Sequence, residues 1–276
     1  MQKLSQNDTQ KLKQIELEIL QMFIDTCNKL GLHYYVIGGT LLGAVRHQGF
    51  IPWDDDIDVA MLREDYEQWI KKAPALLDSK KYFIQTFHSD PLYPANFAKL
   101  RNNQTTFIET SLRKLNINHG VYIDVFPLDY YPESNQKAFK FHQMRYTSKI
   151  MQAYDLDAVS YSTGKRIVRK LLAFTVQGTP FDAVKKREKL YCSIEKSNLI
   201  ANFCGAWGEK EIVPAKWYGT GTKLVFEKIE VSAPKEYHKW LNHVYGNYME
   251  LPPPEKRVAH HFTEVIDLEK SYKEYR

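Results

Sequence analysis

The run Asp54-Asp55-Asp56-Ile57-Asp58 constrains this chain more than any other feature. It places four carboxylates in five residues, between Ile51-Pro52-Trp53 and Val59-Ala60-Met61. Side chains of an extended segment alternate between two faces. The run therefore predicts Asp54, Asp56 and Asp58 on one face and Asp55 on the other. Apolar neighbours on both sides set the run against a core, where crowded carboxylates repel and lose hydration. A hard divalent cation offsets both costs, and an all-oxygen, carboxylate-rich set suits Mg²⁺ or Mn²⁺. Taken alone, the run also reads as a solvated acidic turn.

Two other segments turn the balance toward a site. Asp124 interrupts the apolar strand pattern Tyr122-Ile123-Asp124-Val125-Phe126, a position where an Asp is usually paired or functional. Upstream, His33 to Ile37 reads as a strand, Gly38-Gly39 breaks it, and a helix is expected from Leu41 with Thr40 as its N-cap. Such a strand–turn–helix junction directs backbone N–H groups at a phosphate. A phosphate-binding turn beside three carboxylates is the layout of a nucleotidyltransferase-type site.

Composition narrows the remaining classes. With 276 residues and 43% hydrophobic content, the chain can bury a sizeable core. The net charge of +5 favours anionic partners such as nucleotides, phosphates or lipid headgroups, and is too small an excess to argue for nucleic acid. Cys27, Cys192 and Cys204 lie far apart and form no C-x-x-C pair, so they read as reduced packing residues. No apolar run is long enough to span a bilayer, and Met1 to Asp8 has no leader-like apolar stretch. A cytoplasmic protein is expected.

Apolar spacing predicts a long helix from about Asp8 to Leu30 closed by Gly31, further helices at 64–77, 135–154, 165–176, 181–199 and 235–245, and strands at 57–61, 82–87, 97–100, 121–126 and 223–231. The strand at 121–126 is expected to stop at Pro127. This interleaving argues for an α/β or α+β architecture. It divides the chain into a core over 1–131, a helical insertion or lobe over 132–205, and a segment over 206–276 that completes the core and the site.

The chain resembles the LicD family of bacterial phosphocholine transferases and animal fukutin-type proteins. The resemblance rests on Gly38-Gly39-Thr40-Leu41-Leu42-Gly43-Ala44-Val45-Arg46-His47, on Gly49-Phe50-Ile51-Pro52-Trp53-Asp54-Asp55-Asp56-Ile57-Asp58-Val59, and on Phe97-Ala98-Lys99-Leu100. It extends to Ile123-Asp124-Val125-Phe126-Pro127-Leu128-Asp129 and to the C-terminal Tyr245-Gly246-Asn247-Tyr248-Met249, Leu251 to Arg257 and His260. The cysteine-rich zinc segment of some animal members has no counterpart.

This resemblance implies a nucleotidyltransferase-like mixed sheet with flanking helices. It also implies a metal-dependent transfer of a phosphocholine or polyol-phosphate group from a CDP-linked donor, CDP-choline foremost, to a sugar hydroxyl. The acceptor class is a lipid-linked oligosaccharide or a teichoic acid or lipopolysaccharide precursor. Asp56, Asp58 and Asp124 become the candidate catalytic and metal-binding carboxylates, with Asp54 beside them. Asp124 is the candidate general base or a second metal ligand, two roles it cannot fill equally because a metal-bound carboxylate is a poorer base. Gly38, Gly39 and Thr40 would hold phosphates, Arg46 and Lys99 would neutralise oxyanions, and Trp53 would stack on a base or on choline methyls. Arg257, His260 and His261 would close over the site. The alternatives are a nucleotidyltransferase that attaches NMP to a small molecule, and a non-catalytic nucleotide-binding scaffold.

Residues 164–176 combine Lys165, Arg166, Arg169 and Lys170 with Ile167, Val168, Leu171, Leu172 and Phe174. That pattern suits either a core-facing helix with a basic back or peripheral contact with the inner face of the cell membrane.

Overall fold

Leu12, Ile19, Leu20, Phe23 and Cys27 recur at helical spacing and are fully buried along one stripe of α1 (Gln6–Leu30). The helix ends where the sequence places its stop. Gly31 takes a φ of +65°, and the Leu32 N–H donates to the Cys27 carbonyl at 3.0 Å. This computed structural model describes residues 6–154, 163–257 and 262–275.

The main sheet contains β1 (Tyr35–Val36), β2 (Asp58–Leu62), β3 (Tyr82–Gln85), β4 (Ala98–Asn102) and β6 (Val121–Tyr130), in the order β1-β2-β6-β4-β3. β5 (Thr106–Glu109) lies outside it and pairs with β11 (Thr263–Asp267). Strands β2 and β6 run parallel at the centre, and β1, β4 and β3 join antiparallel. Interleaved helices and a mixed sheet make the fold α+β, as the sequence pattern predicts.

Register divides the sheet into two chemically different faces. Val59, Val125, Ile123, Leu100 and Ala98 are fully buried, and α1 packs on β4 and β6. The alternate residues Asp58, Asp124, Tyr122, Lys99 and Arg101 share the other face, since paired residues on neighbouring strands project together.

Strand β6 does not stop at Pro127. The Asp124 N–H donates to Ile57 O toward β2, so the nitrogen of Pro127 faces the opposite side. There β4 ends opposite Val125 and β7 (Leu199–Ala201) begins opposite Asp129. Pro127 falls in the gap between them, where no partner strand asks for its missing N–H.

Helix α2 (Gly38–Arg46) follows β1, and α3 (Arg63–Lys72) follows β2. The middle of the chain is helical: α4 (Gln136–Ile150) packs against both α5 (Thr163–Phe174) and α6 (Pro180–Cys192). Thr179 opens α6 with a capping box closed by Asp182. The chain then rejoins the sheet as β7 and β8 (Ile212–Pro214). The expected strand at 223–231 is a hairpin of β9 (Thr222–Phe226) and β10 (Ile229–Ala233), and α7 (Tyr237–Tyr245) follows.

Candidate active site

The acidic run is a loop and becomes strand only at Asp58. Pro52 and Trp53 form a turn in which the Asp54 N–H donates to Ile51 O at 2.9 Å. The two-face expectation is therefore corrected. Asp55 joins Asp54 and Asp56, and each of the three offers a carboxylate oxygen within 4.8 Å of the others. The turn abolishes the alternation that would have pointed Asp55 away. Of the expected metal ligands Asp54, Asp56, Asp58 and Asp124, Asp54 and Asp56 belong to this tight group.

The diglycine turn lies directly against the acids. Helix α2 begins at Gly38 with Ile37 in the capping position. Thr40 is thus inside the helix rather than at its cap, and its Oγ1 accepts the Asp58 N–H at 2.8 Å. Gly38 has a φ of +56°, and a Cβ there would stand 2.8 Å from Asp58 Oδ2. A Cβ on Gly39 would collide with Asp54 Oδ2. Absence of side chains lets two carboxylates touch the N-terminal turn of α2. The first N–H groups of a helix have no acceptor within it, and its dipole favours negative charge there.

Asp58 and Asp124 are directly paired across the parallel strands, and Lys99 pairs with Asp124 on the other side. The three form one row across β2, β6 and β4. Lys99 Nζ donates to Asp124 Oδ1 at 2.8 Å and lies 3.2 Å from the Tyr122 ring centroid, with the Arg101 guanidinium 4.6 Å from the same ring. Lys99 is buried with its charge matched to Asp124, a different engagement from the expected phosphate contact. The Asp58 carboxyl is pushed well above the usual carboxylate range by burial, then by the charges of Asp56, Asp124 and Asp54.

The remaining expected residues form a rim. Arg46 donates through one guanidinium nitrogen to the carbonyls of Tyr248 (2.8 Å) and Glu250 (3.3 Å). Trp53 has the Arg257 guanidinium 5.5 Å from its ring centroid and the His47 ring edge-on at 6.4 Å. Arg257 in turn donates to Pro252 O at 2.8 Å. Arg46 and Trp53 thus anchor the segment 246–257 beside the acidic loop. His260 and His261 lie outside the described residues.

Comparison with known proteins places this site in a family. The family model described as LicD/FKTN/FKRP, nucleotidyltransferase domain, matches residues 31–156, which hold the diglycine turn, the acidic loop, Lys99 and Asp124. Lipopolysaccharide cholinephosphotransferase LicD of Haemophilus influenzae is 28% identical over 261 residues, covering 91% of this chain and 95% of that protein. Residues 31–156 thus match the LicD family's nucleotidyltransferase domain, and the chain as a whole is similar to a LicD protein. Shorter similarities reach the human ribitol 5-phosphate transferase FKRP, 40% identical over 17% of this chain and 10% of that one. The human ribitol-5-phosphate transferase FKTN is 38% identical over 18% of this chain and 11% of its own.

Two acids of this LicD-like chain carry no clear local signal in the sequence. Glu16 lies in the buried stripe of α1 between Leu12 and Ile19 and is only 3% exposed. Its Oε2 has no hydrogen-bond partner among the described residues. Burial, followed by the charges of Asp56 and Asp55, raises its pKa well above normal. Glu211 is likewise buried. Desolvation lifts it to about 7, although Trp207 N–H donates to its Oε1 at 3.0 Å, and its charge reaches Asp58. A glutamate in an otherwise apolar helical stripe was the available signal for Glu16. Nothing local marks Glu211.

These donors fit Mg²⁺ or Mn²⁺. Three carboxylates converge, the ligand set is all oxygen, and the buried Glu16, whose Oε2 has no hydrogen-bond partner among the described residues, feels the charge of all three. Asp54, Asp55 and Asp56 would hold the ion.

Proposed function

We propose that this chain transfers a phosphocholine or polyol-phosphate group from a CDP-linked donor to a hydroxyl of a cell-surface glycan, such as a teichoic acid or lipopolysaccharide precursor. The observation that carries this reading is the contact of Gly38 and Gly39, at the start of α2, with Asp58 and Asp54. One helix end offers N–H donors to phosphate oxygens beside an acidic loop suited to a cation. Similarity along nearly the whole chain to a cholinephosphotransferase favours CDP-choline over the polyol donors.

When bound, Mg²⁺ or Mn²⁺ would neutralise the diphosphate as CMP leaves. The chain's own groups supply positioning. The α2 N-terminal turn holds the phosphate oxygens. Asp124, held by Lys99, is the candidate general base that takes the proton of the attacking hydroxyl. A bond from the acceptor oxygen to the donor's distal phosphorus forms, and the bridging P–O bond to CMP breaks.

Mass spectrometry of products from CDP-choline, CDP-ribitol and CDP-glycerol, each with an oligosaccharide acceptor, tests the reading. The expected result is CMP together with an acceptor carrying the donor's phosphoryl group. Pyrophosphate released from CTP and phosphocholine would establish NMP transfer instead. No product from any donor would favour a binding scaffold.

A further inference from the structure

Helix α5 turns its apolar side outward. Ile167 and Val168 are each 56% exposed, Leu171 is 66% exposed and Phe174 is 91% exposed. These positions follow i, i+1, i+4 and i+7 spacing and form one helix face. The small or short residues face inward: Ala173 and, just beyond the helix, Val176 are buried. A core-facing helix shows the reverse arrangement, so the plainer reading of this segment does not hold. Phe141 and Met144 of α4 are also exposed. They flank Arg145, whose Nε donates to Thr175 Oγ1 at 2.6 Å, so the apolar surface continues from the C-terminal end of α5 onto α4.

Charge surrounds this surface on one sign. Residues 136–192, spanning α4 to α6, carry twelve Lys and Arg against four Asp and Glu, a net of +8, while the whole chain carries +5. The rest of the chain is therefore net acidic at −3. On α5 itself Arg166 and Lys170 are exposed next to the apolar face. At twelve residues α5 is about 18 Å long, too short to span a bilayer, and no helix among the described residues is long and apolar enough to cross one.

We infer that the outward face of α5, extended by Phe141 and Met144, docks peripherally on an anionic lipid surface. Phe174, Leu171, Val168 and Ile167 enter the headgroup–acyl boundary, and Arg166 and Lys170 meet the phosphates. Charge selects this occupant over a second copy of the chain, because self-association here would oppose two lobes of +8. The inference is independent of the proposed chemistry, since it concerns binding alone.

Co-sedimentation of the full chain with vesicles tests it. Wild type is expected to pellet with vesicles of phosphatidylcholine and phosphatidylglycerol, to bind pure phosphatidylcholine weakly, and to be released by salt. The double variant Val168→Glu/Leu171→Glu should lose about tenfold or more of that binding. Both positions are solvent-exposed, so an unchanged melting temperature is expected and certifies the fold. Arg166→Glu/Lys170→Glu should lose the phosphatidylglycerol dependence alone. Absence of wild-type binding to anionic vesicles, or equal binding by the folded apolar variant, would overturn the inference. So would sedimentation equilibrium showing a dimer that the apolar variant dissociates.

Discussion

Lys99 and Asp124 form a buried ion pair, Nζ to Oδ1 at 2.8 Å, at the centre of the polar face of the sheet. Neighbouring strands set the two residues in register, so the pair is fixed by backbone pairing rather than by side-chain choice. Asp58 completes the row beside Asp124, and the Tyr122 ring centroid, on the same strand as Asp124, lies 3.2 Å from Lys99 Nζ.

Lys99→Met should leave Asp124 without its counter-charge. Breaking a buried pair from one side costs about 3–5 kcal/mol. Urea unfolding should therefore show a lower midpoint with little change in slope, and group transfer should fall with it. An unchanged midpoint would mean that Asp124 draws its compensation from elsewhere.

Gly39→Ala tests the close approach of α2 to the acidic loop. The new methyl must displace Asp54, so transfer should drop by about two orders of magnitude or more. Circular dichroism should remain native, since Gly39 already sits in ordinary helical structure. Gly38→Ala carries the added strain of a φ of +56°, about 1 kcal/mol, and should be the less stable of the two.

The pH dependence of stability follows from the buried acids. Desolvation raises Glu211 to about 7, so its protonated form is favoured in the folded state. Its contribution is fully present below the unfolded value of 4.5 and is lost as pH rises through 7, on the order of 3 kcal/mol in all. Glu16 and Asp58 are shifted the same way. In chelator, the melting temperature should fall between pH 5 and pH 8, and Glu211→Gln should flatten that fall. Added Mg²⁺ should raise the melting temperature more at pH 8 than at pH 5, because ligand carboxylates must be deprotonated.

Arg46→Ala should loosen the segment 246–257, which Arg46 holds through two carbonyls. Hydrogen exchange at residues 246–251 should accelerate while the strands of the main sheet stay protected. Equal protection in wild type and variant would show that Trp53 and Arg257 hold the segment alone.

Much of this molecule was legible in its sequence because its signals are local. Helical spacing located α1, glycine ended it at Gly31, and Gly38-Gly39 and the Asp run pointed to the two segments that the fold brings together. What was not legible depends on distant packing. Asp55 joins Asp54 and Asp56 only because the turn at Pro52 and Trp53 breaks the alternation. Thr40 caps nothing because its hydroxyl is engaged by a strand eighteen residues later. Pro127 ends no strand because two partner strands happen to leave it a gap. Lys99 was read as a phosphate contact, whereas sheet register commits it to Asp124. Glu211 and the Arg46 carbonyl partners lie more than 150 residues from the motifs they serve, beyond the reach of any window.

On the proposed function, the acidic loop against the diglycine turn would hold a cation beside the diphosphate of a CDP-linked donor. CMP release from the preferred donor by wild type, Asp54→Asn and Asp56→Asn, with and without EDTA, is the decisive measurement. The expected result is loss of about a hundredfold or more in both folded variants, loss in EDTA, and recovery of wild type on adding excess Mg²⁺ or Mn²⁺. Undiminished release from both variants, or in excess chelator, would contradict it.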